Sequence, residues 1–133
     1  MGCARIGTVR HRYRAVPVGV AALLMAGSAV AHHSGAMFDD KESVVLAGTV
    51  KAFQWTNPHC WIQLLVSGKE GTREWSIEMG SPSQVFKGGW RPGTLKVGDK
   101  IRVVIHPMRD GSSGGLFMLA TDEGDKPLGV QGS

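Results

Sequence analysis

The chain has 133 residues, of which 42% are hydrophobic and 20% are charged, and its formal net charge is +4. This length favours one small domain over a multidomain architecture. A basic balance favours an acidic partner such as nucleic acid only when the excess charge lies on the folded domain. The positions of the basic residues along the chain therefore decide what the net charge means.

The first 31 residues predict a cleaved secretory signal peptide. Four arginines and no acidic residue occur within residues 1–14, and an apolar run over residues 15–26 leads to Ala29-Val30-Ala31. A basic start, a short apolar run and small residues before the cut are typical of such signals. The run is shorter than the ~20 residues of a membrane-spanning helix. We expect cleavage after Ala31 and a periplasmic or secreted product with no membrane span.

Cleavage after Ala31 changes the charge of the protein. It removes four of the 15 basic residues and none of the 11 acidic residues, so the remaining chain carries 11 of each and is formally neutral. Affinity for nucleic acid comes from Lys and Arg on phosphates, so we expect no nucleic-acid partner. Cys3 is removed with the signal, which leaves Cys60 without a second thiol for an intramolecular disulfide.

Residues 32–42 show no apolar periodicity and predict an extended N-terminal arm. Cleavage after Ala31 would place the new terminal amine on His32, where the amine and the imidazole can chelate one ion beside His33. Such nitrogen-rich planar ligand sets suit Cu(II). A cut two residues earlier would place His32 third, which suits square-planar Cu(II) or Ni(II). The alternative interpretation is a polar start to the mature chain without a metal.

Residues 43–121 predict an all-β domain with one short helix. Alternating apolar residues separated by turn-forming residues predict five strands, and Ser-Pro followed by Gly-Gly predicts the helix. In chain order these are a strand from Ser43 that can bend at Gly48, a strand over His59–Val66, a strand through Trp75–Met79, a helix from Ser81 to Gly88, and strands over Lys100–His106 and Leu116–Thr121.

The predicted order, β-β-β-α-β-β, is typical of the five-stranded OB Greek-key barrel, in which the helix follows the third strand. A generic small β-sandwich or an open barrel is the alternative. The parity of the second strand places Cys60 inward, where a thiol is inert. Residues 122–133 predict a flexible C-terminal tail.

Two loops contain the candidate site residues. In an OB barrel, the loops after the first and fourth strands flank a binding face formed by the second and third strands. Hairpin register predicts Trp61 opposite Glu78 and Gln63 opposite Ser76 on that face. The candidate metal ligands are His32, His33, His59 and His106, and the candidate ligand-binding residues are Asn57, Trp61 and Glu78.

Each candidate also has a structural interpretation without a ligand. Asn57-Pro58 is ordinary turn chemistry, and Trp61 with Glu78 is a cross-strand pair that shields the sheet. A single histidine at a strand end is more often structural than a ligand. The chain has no nucleophile motif, no Cys–His–Asn spacing and no paired carboxylates, so we expect a protein that is not an enzyme.

Several short motifs resemble a family of small exported bacterial proteins catalogued as a domain of unknown function. They are His32-His33-Ser34, Phe38-Asp39, Gly48-Thr49-Val50, Asn57-Pro58-His59, Gly89-Trp90, Leu95–Asp99 and the loop from Pro107 to Gly111. The resemblance covers essentially the whole mature chain. It implies export, a single small β-barrel and a pairing of the His-His start with the Asn-Pro-His loop, and it implies no particular reaction.

These observations predict an exported, non-enzymatic OB-like binding module. The first hypothesis is a copper-type ion bound through His32 and His33, with His59 or His106 as further ligands. The second is an interaction module of the cell envelope that binds a protein or a glycan through the outer face of its second and third strands, around Trp61.

Overall fold

Five strands close into a barrel in the computed structural model, which describes residues 35–129. The elements are β1 (Val44–Gln54), β2 (Trp61–Gly68), β3 (Gly71–Glu78), α1 (Pro82–Lys87), β4 (Lys100–Pro107) and β5 (Gly114–Asp122). The strand order is β1-β2-β3-β5-β4, with β1 paired to β4; β3 and β5 run parallel, and the other neighbours run antiparallel. This order, with the helix between β3 and β4, confirms the predicted OB-like barrel.

Several predictions fall on residues that the structure does not describe. The signal peptide over residues 1–31, the ligands His32 and His33, and the last four residues of the tail lie outside the described residues. Within residues 35–129, no helix combines the length and the apolar character needed to cross a membrane.

Alternate residues of the strands fill the barrel interior. Ile62, Leu64, Ile77 and Ile105 are fully buried, and so is Cys60, just before β2. The predicted inward position of Cys60 is therefore confirmed. Burial raises the pKa of the Cys60 thiol, and a hydrogen bond with the backbone of Thr56 opposes this to a smaller extent. An apolar environment of this kind keeps the thiol protonated and unreactive.

The alternation of Val44, Leu46 and Val50 predicts that Ala52 shares their inward side of the first strand, and the structure departs from this prediction at Lys51. The register of β1 against β2 shifts between Val50 and Ala52, so that Lys51 forms a bulge and Phe53 lies opposite Ile62. An extra residue in one strand reverses the facing of every residue after it. Phe53 therefore packs against the core where Ala52 was expected to point inward.

Helix α1 begins and ends as predicted. The Ser81 hydroxyl accepts a hydrogen bond from the Gln84 backbone N–H at 3.4 Å, and the Gln84 side chain accepts one from the Ser81 N–H at 2.9 Å. This reciprocal capping box satisfies two free donors of the first turn. Gly88 caps the other end. After the helix, Trp90 packs against the rings of Phe53 and Phe117, with centroids 5.8 and 5.4 Å away.

Both segments that flank the predicted domain are more ordered than the sequence suggested. The N-terminal arm turns at residues 35–37, and Phe38, 5% exposed, forms a bridge with Met108, so this part of the arm lies on the barrel. The predicted flexible tail belongs to β5 at Asp122 and then packs back on that strand, with Leu128 donating to the Ala120 carbonyl at 2.9 Å. The apolar residues Phe38 and Leu128 lie at the contacts of these two segments.

The fifth strand also begins two residues earlier than predicted. Gly114 and Gly115 pair with Ser76 and Ile77 of β3, although their composition is typical of a flexible loop. A Cβ atom at Gly115 would lie 2.6 Å from the His106 carbonyl oxygen, which is too close for any side chain. Glycine is therefore required where β5 packs against β4, because the two backbones approach closely there.

Candidate functional site

The predicted register of the β2–β3 hairpin is confirmed. Trp61 pairs with Glu78, and Gln63 pairs with Ser76. Directly paired residues on neighbouring strands share one face of a sheet. Glu78 also pairs with Leu116 of β5, which in turn pairs with His106 of β4. The outer face of the barrel therefore carries one row of side chains that runs from Trp61 through Glu78 and Leu116 to His106.

His59 lies diagonally across from Glu78 and is bound to it. Its Nδ1 is 2.8 Å from Oε1 of Glu78, and the two side chains are 42% and 18% exposed. With its proton on Nδ1, toward this carboxylate, a neutral imidazole would present its lone pair on Nε2. This is the arrangement in which a carboxylate orients a metal-binding histidine. The loop before His59 is closed by Thr56, whose hydroxyl donates to the His59 carbonyl at 2.9 Å.

His106 has a different role from His59. Its Nδ1 lies 2.6 Å from the carbonyl oxygen of Glu42 and donates to it, which attaches the end of the arm to β4. The strand of Leu116 separates His106 from Glu78, and two strand spacings amount to ~10 Å. Within residues 35–129, no three His, Cys, Asp or Glu side chains are grouped closely enough to hold a metal ion. The structure thus does not bring His59 and His106 into one ligand set.

A ladder of polar side chains crosses the same face. The hydroxyl of Ser76 donates to Oε1 of Gln63 at 2.6 Å, and Nε2 of Gln63 donates to Oε1 of Gln54 at 3.0 Å. The chain of bonds joins β3, β2 and β1 and fixes the orientation of the Gln63 amide. The face beside Trp61 is therefore preorganised and polar.

The N-terminal arm lies beside this face. The Asp39 N–H donates to the Pro107 carbonyl at 2.8 Å, and the Arg109 N–H donates to the Met37 carbonyl at 2.9 Å. Arg109 also forms an ion pair with Asp40 at 3.1 Å. Through these bonds, a short piece of the arm continues the strand pairing beyond the end of β4. They hold Met37 and Phe38 against the barrel.

Arm and sheet enclose a pocket of about 180 Å³ on the outer face. Its lining residues come from the arm, β2, β3, the loop between β4 and β5, and the start of β5. Its lining consists of Met37, Phe38, Trp61, Ser76, Glu78, Met108, Ser112, Ser113, Gly114 and Gly115. The predicted residues Trp61 and Glu78 thus share one pocket, and its apolar wall comes largely from the arm.

One wall of the pocket is ordered by Asp110. The Asp110 carboxylate accepts hydrogen bonds from the Ser112 hydroxyl at 2.6 Å and from the Ser112 N–H at 2.9 Å. These bonds lower the pKa of Asp110 below its usual value, since they favour the charged form. They bring Ser112 and Ser113 to the edge of the pocket.

The lining of the pocket overlaps the predicted ligand-binding residues only in part. Asn57 is exposed in the loop before β2, joined to Pro58 by a cis peptide bond, and it is not among the lining residues of the pocket. Met37, Phe38 and Met108 were not predicted as site residues. The adjacent apolar residues Met37 and Phe38 within a polar arm were the available signal, because such a pair favours burial.

The sequence matches DUF6152, a family of unknown function, over residues 21–118. The chain belongs to the DUF6152 family. The matched range contains the arm, strands β1 to β4 and the first part of β5, and therefore every described residue of the pocket. No protein with a curated description matches this family member.

Two solved structures of the mitochondrial single-stranded DNA binding protein Rim1 from S. cerevisiae are similar to this DUF6152 protein. The first is 11% identical, with a TM-score of 0.46, and covers 62% of this chain and 94% of its own. The second is 8% identical, with a TM-score of 0.46, and covers 69% of this chain and 98% of its own. The OB-like fold of the present barrel is assigned from its strand order and helix position.

Proposed function

We propose that this DUF6152 protein is an exported, non-enzymatic β-barrel module that binds a copper-type ion through His59 together with His32 and His33 of the N-terminal arm. The observation that carries the proposal is the 2.8 Å contact between His59 Nδ1 and Glu78 Oε1. It orients the imidazole and leaves Nε2 of the neutral ring as a donor for an ion. His59 is also exposed enough, at 42%, for an ion to reach it.

The remaining ligands are proposed to come from His32 and His33. One imidazole does not hold an ion firmly, and copper favours further nitrogen ligands in a plane. The arm runs to this face, where Met37 and Phe38 line the pocket that also contains Glu78. The segment from His32 to Gly35 spans at most ~11 Å. The terminal amine and the two imidazoles are therefore attached to the part of the arm that docks here.

His106 is not included in the proposed ligand set. Its bond to the Glu42 carbonyl makes it a residue that holds the arm, and Leu116 separates it from Glu78. It therefore provides a matched control for His59, because each is a half-exposed histidine on the same outer face with Nδ1 already bound.

The test uses the 133-residue chain, expressed in a bacterium and recovered from the periplasmic fraction. Mass spectrometry establishes the mature N-terminus, and titration with Cu(II) gives the stoichiometry and the affinity. We expect a start at His32, one Cu(II) per chain, at least tenfold weaker binding in His59→Ala, and a smaller change in His106→Ala. Absence of stoichiometric binding by the wild type overturns the proposal.

A second comparison tests the terminal ligands separately. The double variant His32→Ala and His33→Ala is expected to lose Cu(II) binding, provided that mass spectrometry shows the same cut site as in the wild type. Stoichiometric Cu(II) binding that survives the loss of both histidines would rule out the terminal site.

The apolar side of the pocket favours a second candidate function. Trp61, Phe38 and the two methionines surround a space of about 180 Å³, which suits one apolar side chain or the face of a sugar ring. An envelope protein or a glycan would then be the ligand. This alternative predicts that Trp61→Ala weakens retention of the partner in a pull-down whereas His32→Ala leaves it unchanged, and it predicts no tight metal binding.

We further propose that nucleic acid is not the ligand. Residues 32–133 carry 11 basic and 11 acidic residues, and the charged group at the pocket is Glu78. Phosphate binding depends on clustered Lys and Arg. Fluorescence anisotropy with a labelled single-stranded oligonucleotide is expected to show no binding at physiological salt, and micromolar binding there would contradict this part of the proposal.

A further inference from the structure

Two methionines from separate segments line the same pocket. Met37 lies on the arm and Met108 follows β4, and the backbones are tied together where the Arg109 N–H donates to the Met37 carbonyl at 2.9 Å. Phe38, next to Met37, pairs with Met108 across an antiparallel bridge. The fold therefore places two thioether side chains at one wall of the pocket, although 71 positions separate them in the sequence.

Core packing does not explain Met37. Its side chain remains 42% exposed, whereas Met79 in the core is 2% exposed. Met118 is similarly exposed, at 48%, but it belongs to a different depression, beside α1. Exposure of a methionine side chain therefore does not by itself indicate a binding role. Met37 differs from Met118 because a second methionine and the carboxylate bound to His59 line the same pocket.

We propose that Met37 and Met108 form a thioether pair that binds a soft monovalent ion, Cu(I), in the pocket that Glu78, the partner of His59, also lines. Soft thioether ligands select Cu(I), whereas amine and imidazole nitrogens arranged in a plane suit Cu(II). The inference rests on the proposed copper function and deepens it, because it assigns ligands for the reduced ion that the histidines and the terminal amine do not supply. Trp61 and Phe38 are the other apolar side chains in the lining of this pocket.

The geometry around Met108 is compatible with such a role. Its Cγ would lie 3.3 Å from a Cβ atom at Gly114, so glycine leaves the space that the methionine occupies. A small residue at this position therefore allows the thioether to lie on the β5 side of the pocket. Gly114→Ala is expected to displace Met108 and to weaken the same binding.

The experiment measures Cu(I) and Cu(II) affinity separately in the protein recovered after expression of the full chain. Cu(I) affinity is determined without oxygen by competition with a chromophoric Cu(I) chelator. The test variant is Met37→Leu with Met108→Leu, and the control is Met118→Leu. Leucine conserves volume and apolar character at all three positions, so the fold is expected to persist.

We expect at least a tenfold loss of Cu(I) affinity in the double variant, with Cu(II) affinity and the Met118→Leu control unchanged. Titration with Ag(I), a redox-inert probe of similar softness, is expected to shift the NMR signals of the Met37 and Met108 methyl groups and to leave Met118 in place. Unchanged Cu(I) affinity in the double variant overturns the inference and leaves the proposed Cu(II) function standing. Methionine-dependent Cu(I) binding without any Cu(II) binding supports the inference and overturns the terminal Cu(II) site.

Discussion

Replacing the carboxylate that orients His59 tests the proposed site most directly. Glu78→Gln keeps the size of the side chain and an acceptor oxygen for Nδ1 of His59, but removes the negative charge. Glu78→Ala removes the acceptor as well. Neither variant touches the nitrogen that is proposed to bind the ion, so an effect on affinity reports orientation and charge.

The expected magnitude follows from the contact. Loss of a hydrogen-bond partner of a metal-binding histidine lowers metal affinity by about 10- to 100-fold. Because Gln still accepts from Nδ1 at the 2.8 Å distance, Glu78→Gln is expected near the tenfold end, about 1.4 kcal/mol, and Glu78→Ala near the hundredfold end. The cost in stability is expected to be small, since partly exposed ion pairs contribute about 0.2–1 kcal/mol.

The assay is Cu(II) titration of the purified protein with thermal unfolding measured in parallel. Glu74→Gln is the matched control, because this substitution removes the same charge. Glu74 lies four residues earlier on the same strand and forms an ion pair with Lys51 at 2.6 Å. Equal affinity in Glu78→Gln and the wild type would refute the orienting role. An equal loss in Glu74→Gln would show a general effect of charge instead.

Three further predictions concern the fold that supports the site. Phe38→Ala is expected to destabilise the protein by about 3–5 kcal/mol in urea unfolding, since the ring is 5% exposed; an unchanged midpoint would contradict docking of the arm. Gly115→Ala is expected to cost about 1–3 kcal/mol because its Cβ would meet the His106 carbonyl, whereas Gly93→Ala, with open space around it, is expected to have little effect. Burial raises the pKa of Cys60 in the folded state above its unfolded value, so its contribution to stability is complete below about pH 8.5 and is lost as the pH rises through the folded pKa. A thiol reagent is accordingly expected to label Cys60 after unfolding, and fast labelling of the native protein would contradict its burial.

The main elements of the barrel follow from local sequence patterns. Alternation in β2 and β3 with a tight turn between them predicts both the strands and their register, because side-chain facing has a period of two. The helix is equally local, since Ser81 and Gln84 satisfy each other within one turn. These features need no knowledge of distant residues, and the structure confirms them.

The errors occur where contacts between distant segments decide the structure. The bulge at Lys51 cannot be recognised in β1 alone, because it exists only relative to the register of β2. Gly114 and Gly115 have the composition of a loop, and their pairing with β3 depends on how the barrel closes. Phe38 has no periodic neighbours, so its burial depends on the bridge with Met108.

In the candidate site, too, local sequence patterns predict some contacts, whereas distant segments decide others. The pairing of Trp61 with Glu78 follows from hairpin register, whereas the contact of His59 with Glu78 depends on how the loop before β2 turns. His106 was grouped with His59 because both lie in loops at the predicted face. The backbone of the arm determines its actual role, because the Glu42 carbonyl occupies Nδ1.

The filled interior of the barrel explains why function is assigned to its outer face. Ile62 of β2 and Ile105 of β4 have no exposed surface, and a small barrel of this kind is packed with its own side chains. A ligand must therefore bind to the outer surface of the barrel, which is convex and forms no deep pocket by itself. The docked arm supplies the missing wall, since Met37 and Phe38 lie opposite Trp61 and Glu78 and create a pocket from an otherwise open sheet. Any activity at this face consequently depends on attachment of the arm as much as on the residues of the barrel.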